Sequence, residues 1–340
     1  MRHFGPVTYR LGREADIAAC LGVWRAAVDD YQGRLGMPPL PEETGPIRRH
    51  LTHMLATDPD RFWVGEISRE GREGSGPAEP WLVGFAVATV RDGLWYLAML
   101  FVLPAAQGHG IGAALLDRAQ AGRDTPPGGP AVPGPDNALD TEIHTWGMAT
   151  DTAQPISNAI YARRGMLPRL PIWRLAGEPF RWSAVPDLAS GLEAIPFDSI
   201  AANGRDGPRQ LAEAVGEIDR KVLGLTHPSD HEFLRRDGRA GFLVRERGGR
   251  VLGYAYGSSS GRLGPVAALD PDLLPSLLGV AIRQTPILGT VGTWVPASAE
   301  PAIRALLAAG LRFDRFPGIL CWSRPDLPFA RYLPINLAMV

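Results

Sequence analysis

Lysine is nearly missing from this chain: Lys221 is the single one in 340 residues, and arginine carries the rest of the positive charge. That bias, alongside frequent Ala, Gly and Pro, looks like GC-rich coding and carries no chemistry. Charge of either sign is also short of a surplus. The 35 basic and 36 acidic side chains leave a formal net charge of −1, without the positive excess that nucleic-acid backbones demand. Cysteine is scarce: Cys20 and Cys321 are far apart, have no metal-type neighbours, and fit a reducing compartment. The first residues, Met1 to Pro6, have no apolar core of a signal peptide. Leu94 to Leu116 lacks Lys, Arg, Asp and Glu, but Pro104, Gln107, His109 and three glycines interrupt it, which excludes a membrane span. These absences lead us to expect a soluble cytoplasmic protein that binds neither nucleic acid nor membrane.

What is present is enough apolar residue, 45%, to build real cores over a length that suits two domains. The stretch that organises the chain is Leu94 to Gly122. Leu94 to Val102 is an apolar run between Asp92-Gly93 and Pro104, so it reads as a buried strand. Gln107 to Gly112 is a glycine-rich turn. Ile111 to Ala121 has Ile111, Leu115, Leu116 and Ala119 on one helical face. A strand that turns through glycines into a helix N-terminus is an anion site: N–H groups point outward, the dipole is positive, and the main chain is uncovered. The spacing Gly108, Gly110, Gly112 is not that of a dinucleotide turn, and no acidic residue ends a second strand about twenty residues later. No G-K-[ST] follows, because Gly112 precedes Ala113-Ala114.

From Val102 to Gly112 the pattern is V-x-P-x-x-Q-x-x-G-x-G. It resembles the acyl-CoA pyrophosphate loop, [Q/R]-x-x-G-x-[G/A], of the GNAT N-acetyltransferases. A second stretch, Asn158-x-x-Tyr161-x-x-x-Gly165-Met166, lies in a helical pattern from Pro155 to Arg164. The matching GNAT stretch reads N-x-x-a-x-x-x-Y-x-x-x-G-F or close variants. Here Asn and Tyr are three apart, on one helix face, and Met166 replaces Phe. The resemblance implies that Asn158 contacts the pantetheine arm of acetyl-CoA and that Tyr161 is the general acid at its sulfur. From the residues alone, Tyr161 also fits a core tyrosine and Asn158 a capping or surface amide.

The element order agrees with that family. Helices at Asp16–Tyr31 and Ile47–Ala56 precede strands at Phe62–Ser68, Trp81–Val90 and Leu94–Val102. After the helix from Ile111 come a strand at Leu139–Trp146, the helix from Pro155 and a short strand at Ile172–Leu175. Polar, Gly- and Pro-rich stretches at Arg69–Pro80 and Arg123–Asn137 read as loops. The resemblance implies an α/β fold of the α+β kind, with a mixed central sheet whose strands Leu94–Val102 and Leu139–Trp146 splay apart. The pantetheine arm would pair along Leu100, Phe101 and Val102, where a free N–H can also hold the oxyanion. Gln107, Gly108, His109, Gly110, Ile111, Gly112 and Ala113 would hold the pyrophosphate. An amine acceptor must lose a proton before it attacks. The general base stays open between His144 and Glu66, with Glu142 on the same side of the strand as His144.

The second half echoes the first. Phe242–Glu246 mirrors Phe62–Glu66, Val251–Ala255 mirrors Leu82–Ala86, and Leu263–Leu269 stands for the central strand. Two tandem GNAT folds are expected, at residues 1–177 and 185–340. The second copy reads Pro271-Asp272-Leu273-Leu274-Pro275 at the loop, without the Gln or the glycines, and has Leu306 and Ile303 in place of Tyr and Asn. It should keep the core and lose the site.

Other patterns carry less. Gly257-Ser258-Ser259-Ser260-Gly261 matches G-x-S-x-G, but a strand follows where that elbow needs a helix. His50-x-x-His53 and His227-x-x-x-His231 have helical spacing without an accompanying carboxylate–cysteine set, so no metal is expected. The apolar tail Arg331–Val340 is of a kind that reaches an active site in some tandem GNAT proteins. The chain therefore reads as an N-acetyltransferase using acetyl-CoA on a small-molecule or peptide amine, by direct transfer. A CoA-binding sensor without turnover and a nucleotide-phosphate binder are the rivals.

Overall fold

The computed structural model describes residues 5–67, 81–120, 143–178, 181–287, 289–314 and 316–339. The loops expected at 69–80 and 123–137, and Glu142, lie outside them. The chain divides into two compact units, residues 1–90 with 95–143 and residues 91–94 with 144–340. No helix among the described residues is long and apolar enough to cross a membrane.

In the first unit the order is β1 (Val7–Leu11), α1 (Ile17–Arg34), α2 (Gly45–Thr57), β2 (Phe62–Ile67), β3 (Trp81–Arg91), β4 (Leu94–Val102) and α3 (Ile111–Gln120). The strands lie in the order β1-β2-β3-β4, with β1, β2 and β3 paired antiparallel. β3 is buried on both faces from Leu82 to Thr89, so its apolar residues run on rather than alternate. A Cβ on Gly84 would stand 3.0 Å from the Phe101 carbonyl oxygen and 3.1 Å from Leu115. Only a bare α-carbon lets β3 lie that close to β4 and α3 together. At the other end of α3 the Ala119 carbonyl accepts from the Arg61 guanidinium and the Trp95 indole, both at 3.2 Å. A cation and a buried donor thus satisfy an orphan carbonyl at the negative pole of the helix.

The second unit begins with β5 (Thr145–Asp151), α4 (Pro155–Ala162) and β6 (Leu167–Gly177). Then follow β7 (Leu192–Pro196), α5 (Phe197–Ala201), α6 (Gly207–Val222), α7 (Pro228–Arg236), β8 (Ala240–Glu246), β9 (Val251–Gly257), β10 (Leu263–Ala268) and α8 (Leu274–Gln284). The last elements are β11 (Val291–Pro296), α9 (Glu300–Ala309), β12 (Arg312–Phe313), β13 (Gly318–Trp322) and β14 (Tyr332–Leu333). One run of strands is ordered β5-β13-β6-β11, with β12 also on β6, and a separate sheet is ordered β14-β10-β9-β8-β7.

Two strands depart from the sequence expectation. Residues 139–142 of the strand expected at Leu139–Trp146 lie outside the described residues; among those described, β5 runs past Trp146 to Asp151, and β6 is eleven residues long rather than a short piece at Ile172–Leu175. Both are extended by β13, which inserts between them and pairs Gly318–Trp322 with Asp151–Gly147 on one side and with Ile172–Leu167 on the other. A strand's length is set by its hydrogen-bonding partners, and these arrive from late in the chain.

The internal repeat is visible in the hairpins. β2–β3 pairs Val64 with Phe85 and Gly65 with Gly84, then slips between Gly65 and Glu66. β8–β9 pairs Leu243 with Tyr254 and Val244 with Gly253, then slips between Val244 and Arg245. Gly253 meets the Ala267 carbonyl and Leu277 as Gly84 meets Phe101 and Leu115. Shared bulges and shared glycines make Leu243 the counterpart of Val64. The match of Phe242 to Phe62 is therefore one residue out of register, which in a strand means the opposite face.

Candidate functional site

In the first unit β4 ends at Val102, a single 3-10 turn spans Pro104–Ala106, and α3 starts at Ile111. The residues between are exposed from Gln107 to Gly110. Gly108 and Gly110 have φ of 81° and 78°, and a Cβ on either would meet nothing within 4 Å. Two left-handed residues turn the chain, and the space a side chain would fill is open. The first helical bond of α3 runs from Ala114 N–H to the Gly110 carbonyl at 3.0 Å. The N–H groups of Ile111, Gly112 and Ala113 precede it and have no helical acceptor. Gly112 has an ordinary backbone, and a Cβ there would lie 3.7 Å from Val102 Cγ2. Gln107 folds back to donate from Nε2 to the Val102 carbonyl at 3.0 Å, and His109 Nδ1 lies 3.0 Å from the Gln107 carbonyl. The Gln107 side chain therefore pins the turn to the strand end. Leu100 and Phe101 are half-buried on β4, and Val102 is buried.

Glu66 stands apart from that turn, on β2. Its carboxylate takes the Arg10 guanidinium at 2.9 Å, and Arg10 also binds Asp16 at 2.7 Å. The hydrogen bond from Arg10 holds Asp16 below the usual carboxylate range against the opposing effect of burial.

In the second unit Asn158 and Tyr161 share α4, which ends before Gly165 at φ 80°. Asn158 Nδ2 donates to the Asp151 carbonyl at 3.3 Å, while its Oδ1 is buried without a hydrogen-bond partner. Tyr161 is 6% exposed. Burial first, and the nearby Cys321 thiol second, push its hydroxyl well above the ordinary tyrosine value. His144 is exposed just ahead of β5; its N–H donates to the Gly93 carbonyl at 3.0 Å and its Nδ1 meets Thr145 Oγ1 at 2.9 Å. It lines a pocket of about 150 Å³ with Leu94, Trp322, Arg324, Asp326 and Phe329 among the walls.

The second copy of the turn is built differently. Asp270 Oδ1 accepts the Asp272 N–H at 3.0 Å, so a carboxylate of the chain already occupies the turn. Pro275, second residue of α8, supplies no N–H. The free edge of β10, counterpart of β4, is paired by the chain's own tail: Val266 with Leu333 and Ala267 with Tyr332. Leu306, opposite Tyr161 in the repeat, is fully buried. Gly257–Gly261 is the hairpin turn between β9 and β10, closed by Gly261 N–H to the Ser258 carbonyl at 2.9 Å.

One group was missed by the sequence pattern. His227 and His231 meet the carboxylate of Asp219, from a different helix, in the interior. The spacing of the two histidines was the only local signal, since the third member comes from α6.

Comparison with known proteins follows the same lines. The sequence signature of the Acetyltransferase (GNAT) family matches residues 23–121. No curated protein sequence matches the chain. Among solved structures, a Pyrococcus horikoshii protein assigned as an acetyltransferase aligns over 99% of this chain and 97% of its own, with TM-score 0.67 and 14% identity. A GCN5-related N-acetyltransferase from Sphaerobacter thermophilus aligns over 99% and 100%, at 0.57 and 17%. A tandem GNAT protein from the clavulanic acid biosynthesis pathway aligns over 94% and 100%, at 0.52 and 14%. At these identities the likeness is one of fold.

Proposed function

We propose that the chain is a GNAT acetyltransferase, as the match of residues 23–121 to that family supports, and that it moves an acetyl group from acetyl-CoA directly to an amine. The observation that carries this reading is the turn from Gln107 to Ala113. It presents two open left-handed glycines and three helix-start N–H groups without helical acceptors. That arrangement suits a pyrophosphate, which needs close main-chain approach and several donors. The buried, unpartnered Asn158 Oδ1 supports a pantetheine contact, since a thioester-linked arm brings amide N–H donors.

In the reaction the amine nitrogen attacks the thioester carbonyl, the C–N bond forms, and the C–S bond breaks as the CoA thiolate leaves. Main-chain N–H groups at Leu100, Phe101 or Val102 hold the oxyanion. Tyr161 serves the departing sulfur. Because its hydroxyl is pushed above the ordinary value it stays protonated at working pH, and acts as a hydrogen-bond donor to the thiolate. Of the two proposed bases, His144 keeps Nε2 without a hydrogen bond among the described residues, whereas Glu66 shares its carboxylate with Arg10. His144 is therefore preferred.

The tandem copies are taken as residues 1–177 and 185–340, the second without catalysis. Its carboxylate-filled turn and self-paired β10 edge support that assignment. Scarce cysteine supports a cytoplasmic setting. The test is thiol release from acetyl-CoA across a panel of amines, aminoglycosides, amino acids and peptide N-termini. Acceptor-dependent release supports the enzyme. CoA binding with no release on any acceptor would instead make the chain a CoA sensor.

A further inference from the structure

The interior of the second unit holds a cluster that acyl transfer does not use. Asp219 is on α6, His231 on α7, and His227 immediately ahead of α7; they are 0%, 8% and 1% exposed. The histidines are four residues apart, so they share one face at the start of the helix. Their side-chain donor atoms and that of Asp219 all lie within 4.8 Å of one another. His231 Nε2 is 2.9 Å, and His227 Nε2 3.5 Å, from the same oxygen, Asp219 Oδ2. Donors placed tetrahedrally around zinc at bond lengths of about 2.0–2.2 Å stand about 3.3–3.6 Å from each other. The 3.5 Å spacing falls within that range, and the 2.9 Å spacing is a few tenths of an ångström short of it.

A second observation is independent of the spacing. Neither ring nitrogen of His227 has a well-aligned hydrogen bond, although the residue is 1% exposed and each nitrogen lies within 4 Å of a carboxylate oxygen. A buried imidazole in that state calls for a partner. A third concerns the far side of each donor. Tyr254 donates to Asp219 Oδ1 at 2.6 Å, and His231 Nδ1 lies 2.9 Å from the Tyr256 hydroxyl. His227 Nδ1 faces Asp230 Oδ2 at 3.8 Å, and Asp230 is itself gripped by Arg91 at 2.8 Å and 2.9 Å. Polar groups behind every would-be ligand are what orients a metal's ligands and sets the histidine tautomer.

We infer that Asp219, His227 and His231 bind one divalent transition-metal ion of the zinc class inside the second unit. Two imidazoles and one carboxylate, without a thiolate, suit zinc, and a water completes the fourth position. The ion would cross-link α6 to α7. Through Asp230 and Arg91 it would also brace residues 91–94, the turn that leads into β4. The rival arrangement has no metal: His227 is protonated between Asp219 and Asp230, in a chain of alternating charge that ends at Arg91.

The test uses the full chain without a polyhistidine tag, incubated with zinc chloride, exchanged into metal-free buffer and analysed by elemental mass spectrometry. About one zinc per chain is expected, with a melting temperature about 5 °C or more above that of chelator-treated protein. Asp219→Asn and His227→Gln should each lower zinc content at least about tenfold. If those variants do not fold, the wild-type chain loaded with cobalt still decides, because tetrahedral Co²⁺ absorbs strongly in the visible. Zinc below about 0.1 per chain, no cobalt band, and a melting temperature indifferent to zinc and chelator overturn the inference.

Discussion

Gly112→Asp separates folding from cofactor binding because it should push them in opposite directions. Gly112 is the second residue of α3, its backbone is not left-handed, and a Cβ there makes only an ordinary 3.7 Å contact with Val102. The substitution therefore stores little strain. A carboxylate in the first turn of a helix is worth about 0.3–1 kcal/mol to the fold, and leaving glycine adds a few tenths more. The melting temperature should hold or rise by about 1–4 °C. Binding is different, because the carboxylate competes for the same N–H groups and repels a pyrophosphate. Two unit charges about 4 Å apart at an effective dielectric near 20 repel by about 4 kcal/mol. Side-chain mobility and salt leave about half, so Kd for CoA should rise by about 30-fold or more at 1.4 kcal/mol per decade. Calorimetry with CoA, run beside a melting curve, measures both. Gly112→Ala supplies the bulk without the charge, and the gap between the two variants should narrow in high salt. A folded Gly112→Asp chain with wild-type CoA affinity would falsify the loop assignment.

Three further outcomes are expected. Tyr161→Phe should keep CoA affinity and lower kcat about tenfold to a hundredfold, since a hydrogen bond to a charged group is worth about 1.5–3 kcal/mol; a wild-type rate near pH 7 would return Tyr161 to a core role. A CoA titration should saturate at one per chain, and saturation at two would mean that the tail on β10 does not block the second copy. Cys20 and Cys321 are fully buried, and burial pushes both thiols up to about 12. At pH 8 only on the order of one in 10⁴ would be thiolate, so a disulfide reagent should label neither cysteine until denaturant is added; rapid labelling of the native chain would contradict that burial.

The sequence alone determined the segment whose physics is local. β4 runs from Leu94 to Val102 and α3 starts at Ile111, as the apolar run, the glycines and the helical period require. A turn through Gly108 and Gly110 needs no distant partner to be recognised, because only glycine takes those backbone angles readily. The different make-up of the second turn was legible for the same reason: Asp272 brings a carboxylate and Pro275 lacks an N–H. Tertiary structure decided the rest. β5 and β6 take their lengths from β13, the edge of β10 is closed by Tyr332 and Leu333, and Asp219 reaches His227 and His231 from another helix. Each of the strand pairings joins segments remote in sequence, and the Asp219 contact joins two helices that meet only once packed. Their free energy comes from hydrogen bonds and burial that exist only in the packed chain, so the residues alone left at most the histidine spacing as a trace.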